Sequence, residues 1–166
     1  MGSYLPLVSV CVPTYNDGPF LRQCLESLAA QSYANLEILV GDDASSDDTP
    51  AVVQAVAETS RRPICYVRNE RNLGQFENVN ALVARAPGTY VAVYHSDDVY
   101  TPHIVEKEVA FLEAHPHVGA VFALDWRIDD AGQITGRTRL MPGGKPNTPL
   151  RLRDVLPSLL GQKNRI

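Results

Sequence analysis

The sequence predicts an α/β fold, a three-layer sandwich around a mostly parallel central sheet, and three observations predict it. Short β-rich apolar runs recur through the first 125 residues. Segments whose apolar residues recur at helical spacing separate them. The runs are nearly continuous in apolar residues rather than alternating, as in strands covered on both faces, and strand–helix alternation of this kind builds parallel sheets.

The elements follow in order. VSVCVP (8–13) is the first strand, and Leu21, Cys24, Leu25 and Leu28 mark one face of the first helix. LEILVG (36–41) is the second strand. Thr49-Pro50 reads as a cap and first helical residue, ahead of a face made by Val52, Val53, Val56 and Ala57. ICYVR (64–68) is the third strand, and Phe76, Val79, Leu82 and Val83 mark the third helix. YVAVYH (90–95) is the fourth strand, and Thr101-Pro102 precedes a helix marked by Ile104, Val105, Val109 and Leu112. GAVFALD (119–125) reads as a fifth strand and DDAG (129–132) as the turn of a hairpin after it. Residues 1–140 thus form one domain. MPGGKPNTP (141–149) is a loop or boundary, and LRLRDVLPSLLGQ (150–162) is a short amphipathic helix interrupted at Pro157.

Composition narrows the classes of function. With 166 residues, 45% of them hydrophobic and 20% charged, the chain can bury a substantial core and is no disordered tail. The formal charge of −4, with no block of like charges, lacks the footprint of nucleic-acid binding. No apolar run nears the roughly 20 residues of a membrane span. The N-terminus has neither a basic n-region nor a small-residue cleavage site, so a secretory signal is not expected. Cys11, Cys24 and Cys65 stand alone in apolar stretches without CxxC spacing, and read as reduced core residues of a cytoplasmic protein.

In a parallel sheet the residues that follow each strand gather on one edge, and ligands bind there where the strand order reverses. Every such segment here is polar: Pro13-Thr14-Tyr15-Asn16, Asp42-Asp43-Ala44-Ser45-Ser46-Asp47, Arg68 through Gly74, and His95-Ser96-Asp97-Asp98. Alone, Asp97-Asp98 would read as a solvated turn before the next helix. In the company of three other polar strand ends it reads as part of a site. Asp47 and Asp48 are better taken as first-turn residues favoured by the helix dipole. Acid mixed with Ser, Thr and Asn suits a hard cation, Mn²⁺ or Mg²⁺. Magnesium usually takes only one or two protein carboxylates and completes its shell with water and phosphates. A bridging cation also reverses the repulsion between an acidic edge and a phosphate. The GxGxxG and GxxxxGK[ST] phosphate loops are absent. A nucleoside diphosphate carried by a metal fits. A phospho-acceptor signalling domain would want an acid pair after the first strand, which here ends in PTYN.

VSVCVPTYN, LEILVGDDASSDDT and RNLGQFENVNALVARAPGTYVAVYHSDDV resemble, in order and spacing, the N-terminal half of a family 2 glycosyltransferase with the GT-A fold. The resemblance covers residues 7–140. It implies a nucleotide-sugar-binding α/β sandwich. The implied reaction is inverting, metal-assisted transfer of a sugar from a nucleotide-diphosphate donor, a UDP-linked one by preference, to a hydroxyl of a saccharide or lipid-linked acceptor. Cell-surface polysaccharide or glycan synthesis, in the cytoplasm or peripherally at the inner face of the membrane, is the implied setting. Carried over, Pro13, Thr14 and Tyr15 line the nucleotide pocket. Asp43 or Asp42 accepts from the base, with Asp43 favoured. The segment around Asn72, Gly74 and Asn80 passes beneath the nucleotide. Asp98 ligates the metal, and Asp97 contacts the ribose or donor sugar and shares the metal. His95 stands where the family often has a third acid. Val79 stands where an Arg is common, a contact Arg71 could supply. The family's general base lies in its acceptor-side half, so none is assigned here, Asp125, Asp129 and Asp130 lying by the hairpin. On this resemblance residues 1–140 are the donor-binding domain and 141–166 begin an acceptor-side region. The alternative is a nucleotide-sugar-binding module without transfer activity.

Overall fold

The computed structural model describes residues 5–129, 131–138 and 147–149. The helix expected at 150–162 lies outside them. Strands β1 (Val8–Thr14), β2 (Leu36–Asp42), β3 (Ile64–Arg68) and β4 (Tyr90–Val93) pair in parallel in the order β3-β2-β1-β4. Helices α1 (Gly18–Ala29), α2 (Thr49–Thr59) and α3 (Gln75–Val83) connect them, and α4 (Ile104–Ala114) follows β4.

Crossover handedness then sets the layers. The β1-α1-β2 and β2-α2-β3 units step the same way along the sheet, so α1 and α2 share a face and pack together. The return from β3 to β4 runs back past β2 and β1, which puts α3 on the opposite face, against those two strands. β1 is therefore covered on both sides, and all seven of its residues are buried. Val10, Val12, Ile38 and Val40 have no exposed surface. Cys11 and Leu39, alternating with them, pack on Leu82 of α3. Each such aliphatic side chain contributes about 1.5–3 kcal/mol on burial, so the central pair is the firm platform from which the strand-end loops project.

Several expectations are corrected in detail. The α1 face is as predicted, with Leu21, Cys24, Leu25 and Leu28 all buried. On α2, Val52, Val53 and Val56 are buried but Ala57 is exposed, and Asp48 rather than Thr49 is the N-cap, with Thr49-Pro50 opening the helix. On α3 the buried residues are Asn78 and Leu82, while Phe76 is 80% exposed. The cause is polar: the Asn78 amide donates to the Gly41 carbonyl at 2.7 Å, and that anchor, not the largest apolar side chain, sets the helix's rotation. A Cβ on Gly41 would lie 2.7 Å from Leu82 and 2.9 Å from Asn78 Oδ1, so glycine is what permits this close approach of α3 to β2.

The cysteines divide. Cys11 and Cys24 are buried, but Cys65, on the edge strand β3, is exposed, against the reading of all three as core. Burial, and then the nearby carboxylates, push the Cys24 thiol up to about 12; burial and Glu37 push Cys11 up to about 11. At pH 8 a thiol with a pKa near 12 is thiolate in about one molecule in ten thousand, and the thiolate is the reactive form. The native chain is expected to titrate one fast thiol with a disulfide reagent, Cys65, and to release the other two only on unfolding. Three equally fast thiols would contradict the packing of α1 and β1.

The chain divides into two compact units, residues 1–106 and 107–166. The sheet and its strand-end loops belong to the first. In the second, β5 (Trp126–Ile128) and β6 (Ile134–Arg137) form an antiparallel hairpin with a register shift between Arg127 and Ile128. Asp129 Oδ1 accepts the N–H groups of Ala131 (3.0 Å) and Gln133 (2.8 Å), and Gly132 takes φ +75°, as the turn at DDAG requires. The strand expected at 119–125 is not formed: beyond the Asp125 carbonyl, which accepts the Thr138 N–H at 3.0 Å, the segment joins no ladder among the described residues, and Phe122 and Leu124 are exposed. An apolar run becomes a strand only where another strand completes its hydrogen bonds.

Candidate functional site

The strand order reverses at β1, whose neighbours β2 and β4 are reached by opposite routes, so the crevice beyond β1 and β4 is where this architecture binds ligands. The loop after β1 begins with Tyr15, half exposed, and Asn16 in the left-handed region at φ +57°. Asn16 laces β1 to the loop after β2. Its N–H donates to Ser45 Oγ at 2.9 Å, and its Oδ1 accepts the Ser46 N–H at 2.8 Å. Ala44, also left-handed at φ +64°, lies in that second loop, and strained backbone of this kind persists where neighbours over-determine it. Asp47 joins the two helix starts, accepting from the Gly18 and Thr49 N–H groups at 3.0 Å each. Expected in the first turn, Asp47 and Asp48 instead precede it, with Asp48 as the N-cap and Asp47 bonding the helix start from one residue earlier.

The two aspartates at the end of β2 go separate ways. Asp42 has no exposed surface. Its Oδ1 accepts the Ser45 N–H at 2.8 Å; its Oδ2 accepts Arg68 Nη1 at 2.9 Å and the Tyr66 hydroxyl. Asp43 turns instead to the segment before α3. Its Oδ1 accepts Asn69 Nδ2 and the Leu73 N–H, and its Oδ2 accepts the Gly74 N–H, all at 2.8 Å. Asn72 Oδ1 takes the same Gly74 N–H at 3.0 Å. Gly74 has φ +89°, open to a residue without a Cβ, and that conformation brings successive amides onto one carboxylate. The Asp43 N–H donates to the Thr14 carbonyl at 2.9 Å, tying this wall to β1.

The fourth side is the loop after β4. Tyr94 and Tyr100 stack with centroids 4.2 Å apart, and the Tyr100 hydroxyl accepts the His95 N–H (2.7 Å) and donates to the His95 carbonyl (3.2 Å). Burial and the charge of Asp98 push the Tyr100 phenol upward, so it stays a donor. Cys24 Sγ reaches the His95 carbonyl at 3.4 Å from α1 below. Ser96 is buried, and Asp97 and Asp98 are exposed. After burial, the charges that raise Cys24 are those of Asp98, Asp97 and Asp17, so three carboxylates bear on one point beneath the crevice.

Asp17 was not anticipated. Its Oδ2 accepts the Ser96 hydroxyl at 2.5 Å and, at the long distance of 3.4 Å, the Thr14 hydroxyl. The bonds therefore run without a break from Asn72 through Gly74, Asp43, Thr14 and Asp17 to Ser96. Pro13, buried, and Tyr15 flank Thr14, and Asp97-Asp98 follow Ser96. Asn80 stands apart. It is exposed, and two residues along a helix from the buried Asn78 is roughly 200° around it, on the opposite side. The expectation that Asn80 shares the nucleotide floor has no support in its placement; Asn78, which also accepts from Asn69 Nδ2 at 3.2 Å, is the asparagine that faces the strand ends. Asp129 serves the hairpin turn, and Asp125 accepts the Thr138 hydroxyl.

Among the described residues no three His, Cys, Asp or Glu side chains are grouped as a metal cage. The donor set at Asp97-Asp98 still fits a divalent cation of the Mn²⁺ or Mg²⁺ kind. Such a cation takes one or two protein carboxylates and fills its shell with water and phosphate oxygens, and these two are exposed at the crevice.

Residues 9–162 match the sequence profile of glycosyl transferase family 2. The chain belongs to that family. EpsE of Bacillus subtilis (strain 168), a relative named for glycosyl transfer, is 36% identical over 116 residues, 70% of this chain and 42% of its own length. A glycosyltransferase of Haemophilus influenzae is 34% identical over 116 residues, 70% of this chain and 36% of its own. This family 2 chain thus spans well under half the length of either relative. Among solved structures, the mannosyltransferase PcManGT of Pyrobaculum calidifontis, in complex with GDP-Man and Mn²⁺, superposes with TM-score 0.66 at 32% identity, over 70% of this chain and 35% of that one. S. aureus TarS (1–349) in complex with UDP-GlcNAc gives TM-score 0.62 at 29% identity, over 66% of this chain and 32% of that one. The α/β sandwich implied by the sequence is the fold these proteins share with it.

Proposed function

We propose that this chain is the donor-binding part of an inverting glycosyltransferase. The crevice beyond β1 and β4 takes a nucleotide-diphosphate sugar, by preference UDP-linked, for transfer to a hydroxyl of a saccharide or lipid-linked acceptor in cell-surface polysaccharide or glycan synthesis. The observation that carries the reading is the unbroken polar path from Asn72 to Ser96 along the strand ends, with Asp97 and Asp98 exposed at its far end. Pro13, Thr14 and Tyr15 form the β1 wall of the nucleotide pocket. Asp43, backed by Asn72 and Gly74, is the acceptor for the base. Asp98 with Asp97 would hold the cation.

The chemistry that cation supplies when bound is stabilisation of the departing diphosphate. The chain's own contribution is to hold the donor in one orientation against a rigid sheet edge, which removes much of the entropic barrier to an in-line displacement. Proton removal from the acceptor belongs to a residue beyond the donor wall, and we place residues 141–166 at the start of that acceptor-side region. The work is done in the cytoplasm or at the inner face of the membrane; no helix among the described residues is long and apolar enough to cross one. The alternative reading is a nucleotide-sugar-binding module without transfer activity.

Thermal denaturation with UDP and GDP, each with and without Mn²⁺, tests the donor site. Stabilisation follows mass action and reaches about 2.7 kcal/mol at 100 times the dissociation constant. A nucleotide shift that needs Mn²⁺ is the expected result, and its absence with both nucleotides would overturn the proposal. Release of free sugar or its transfer then separates enzyme from module.

A further inference from the structure

We infer that Asp17 is the positioning residue for the Ser96-Asp97-Asp98 segment, so that the loop after β1 fixes the carboxylates at the end of β4. The inference rests on the donor-site reading above and adds to it a residue outside every motif that suggested it. Backbone pairing between β1 and β4 ends at Cys11 and Val93, with one further bond from the Tyr94 N–H to the Cys11 carbonyl at 2.9 Å. Beyond that point no ladder holds the two loops in register, and the 2.5 Å bond from Ser96 Oγ to Asp17 Oδ2 bridges them. Ser96 is only 5% exposed, so its hydroxyl needs a protein acceptor, and a carboxylate is the strongest neutral-donor partner available.

The ordinary task of Asp17 would be to cap α1, where it occupies the N-cap position. Its side chain makes no cap hydrogen bond there. It turns toward the β4 loop instead, steadied by the long contact from Thr14 Oγ1. Fixing the Ser96 side chain fixes the backbone from which Asp97 and Asp98 project. Groups that orient ligating residues in this way typically carry a 10–100-fold effect on metal affinity.

Calorimetric titration of the chain with UDP or GDP, with and without Mn²⁺, tests this on Asp17→Ala, Asp17→Asn, Ser96→Ala and the double Asp17→Ala/Ser96→Ala variant. Each single alanine change is expected to weaken Mn²⁺-dependent affinity by about tenfold or more, and to change the metal-independent part by much less. The double variant should lose no more than either single, since both cut one link. Asp17→Asn, which keeps an acceptor oxygen for Ser96, should retain most of the affinity. Unchanged affinity in Ser96→Ala, additive losses in the double variant, or an Asn variant as weak as the Ala one would each overturn the inference; the last would make the Asp17 charge, not its hydrogen bond, the working element. Should Asp17→Ala not fold, Ser96→Ala and Asp17→Asn carry the same decision. If the unaltered chain shows no Mn²⁺-dependent nucleotide binding, the donor-site reading itself fails; if it binds and the variants match it, only the role of Asp17 does.

Discussion

Replacing Asp98 with alanine is expected to remove the Mn²⁺-dependent component of nucleoside diphosphate binding, a loss of about 100-fold or more. Residues that merely stand behind a metal ligand can already reach the 100-fold end of the usual range, so a ligand itself should meet or exceed it. The electrostatic reason is local. Asp97 and Asp98 are adjacent and exposed at the end of β4, and Asp17 is bonded to Ser96 beside them. Without a cation they oppose an incoming diphosphate; with one, the sign of the site inverts. Losing Asp98 leaves Asp97 alone as an exposed carboxylate at the strand end and lowers the cation's occupancy at any working concentration. Metal-independent nucleotide binding should hold or improve slightly, because one repelling charge is gone. Titration calorimetry with UDP or GDP, with and without Mn²⁺, reads both components. Unchanged Mn²⁺-dependent affinity in the variant would refute the assignment of Asp98 as a ligand. Folding is not at risk on the scale of the effect, since Asp98 is exposed and the β4 loop keeps its Tyr94–Tyr100 stack.

How far the sequence could be read depended on what kind of signal each residue carried. The central strands β1 and β2 were legible because burial on both faces leaves an uninterrupted apolar run, and α1 because its buried face is purely apolar and obeys the helical period. The site loops were legible by position alone, since whatever follows a parallel strand must lie on the ligand edge. Thr14, Asp43 and Gly74 do meet at the strand ends, joined by hydrogen bonds. Where polar contacts govern, periodicity misleads. Spacing puts Phe76 among the residues that mark the third helix, but it is exposed and the buried residue of that turn is Asn78, held by Gly41 and Asn69. A buried asparagine is invisible to a hydrophobic pattern, and the resemblance that supplied Asn80 carried no signal for Asn78. Asp17 escaped for a different reason. It follows PTYN directly, yet it also precedes a helix, and an acid before a helix has an ordinary explanation in capping that only the observed side-chain direction removes. Residues 119–125 failed because strand character is a joint property of two segments, and one run's composition says nothing of its partner.

The adjacency of Asp42 and Asp43 left their roles unseparated in the sequence, and the second large effect separates them. Asp42→Ala is expected to destabilise the chain by about 2–4 kcal/mol with nucleotide affinity kept, while Asp43→Ala, which strands the Asn69, Leu73 and Gly74 donors of a carboxylate only 2% exposed, should cost both stability and nucleotide affinity. Asp42 has no exposed surface, and its removal strands two donors at the end of β2, the Ser45 N–H and the Tyr66 hydroxyl. An unsatisfied buried donor costs about 1–3 kcal/mol, and the buried Ser45 N–H with the half-buried Tyr66 hydroxyl, which water partly reaches and which costs about 1 kcal/mol, gives the estimate above. Arg68, whose side chain is 43% exposed, regains water and adds little. For a domain of this size each kcal/mol moves the thermal midpoint by about 2–4 °C, so a fall of roughly 5–15 °C is the expected reading. Below that midpoint the Asp42 variant should still bind UDP or GDP with Mn²⁺ near the unaltered affinity, because Asp43 and the Leu73-Gly74 amides keep one another in place. The Asp43 variant loses the acceptor that organises the segment before α3, and with it the proposed contact to the base. An Asp42 variant that is stable but fails to bind would exchange the two roles, since it would place Asp42, despite its burial, against the ligand.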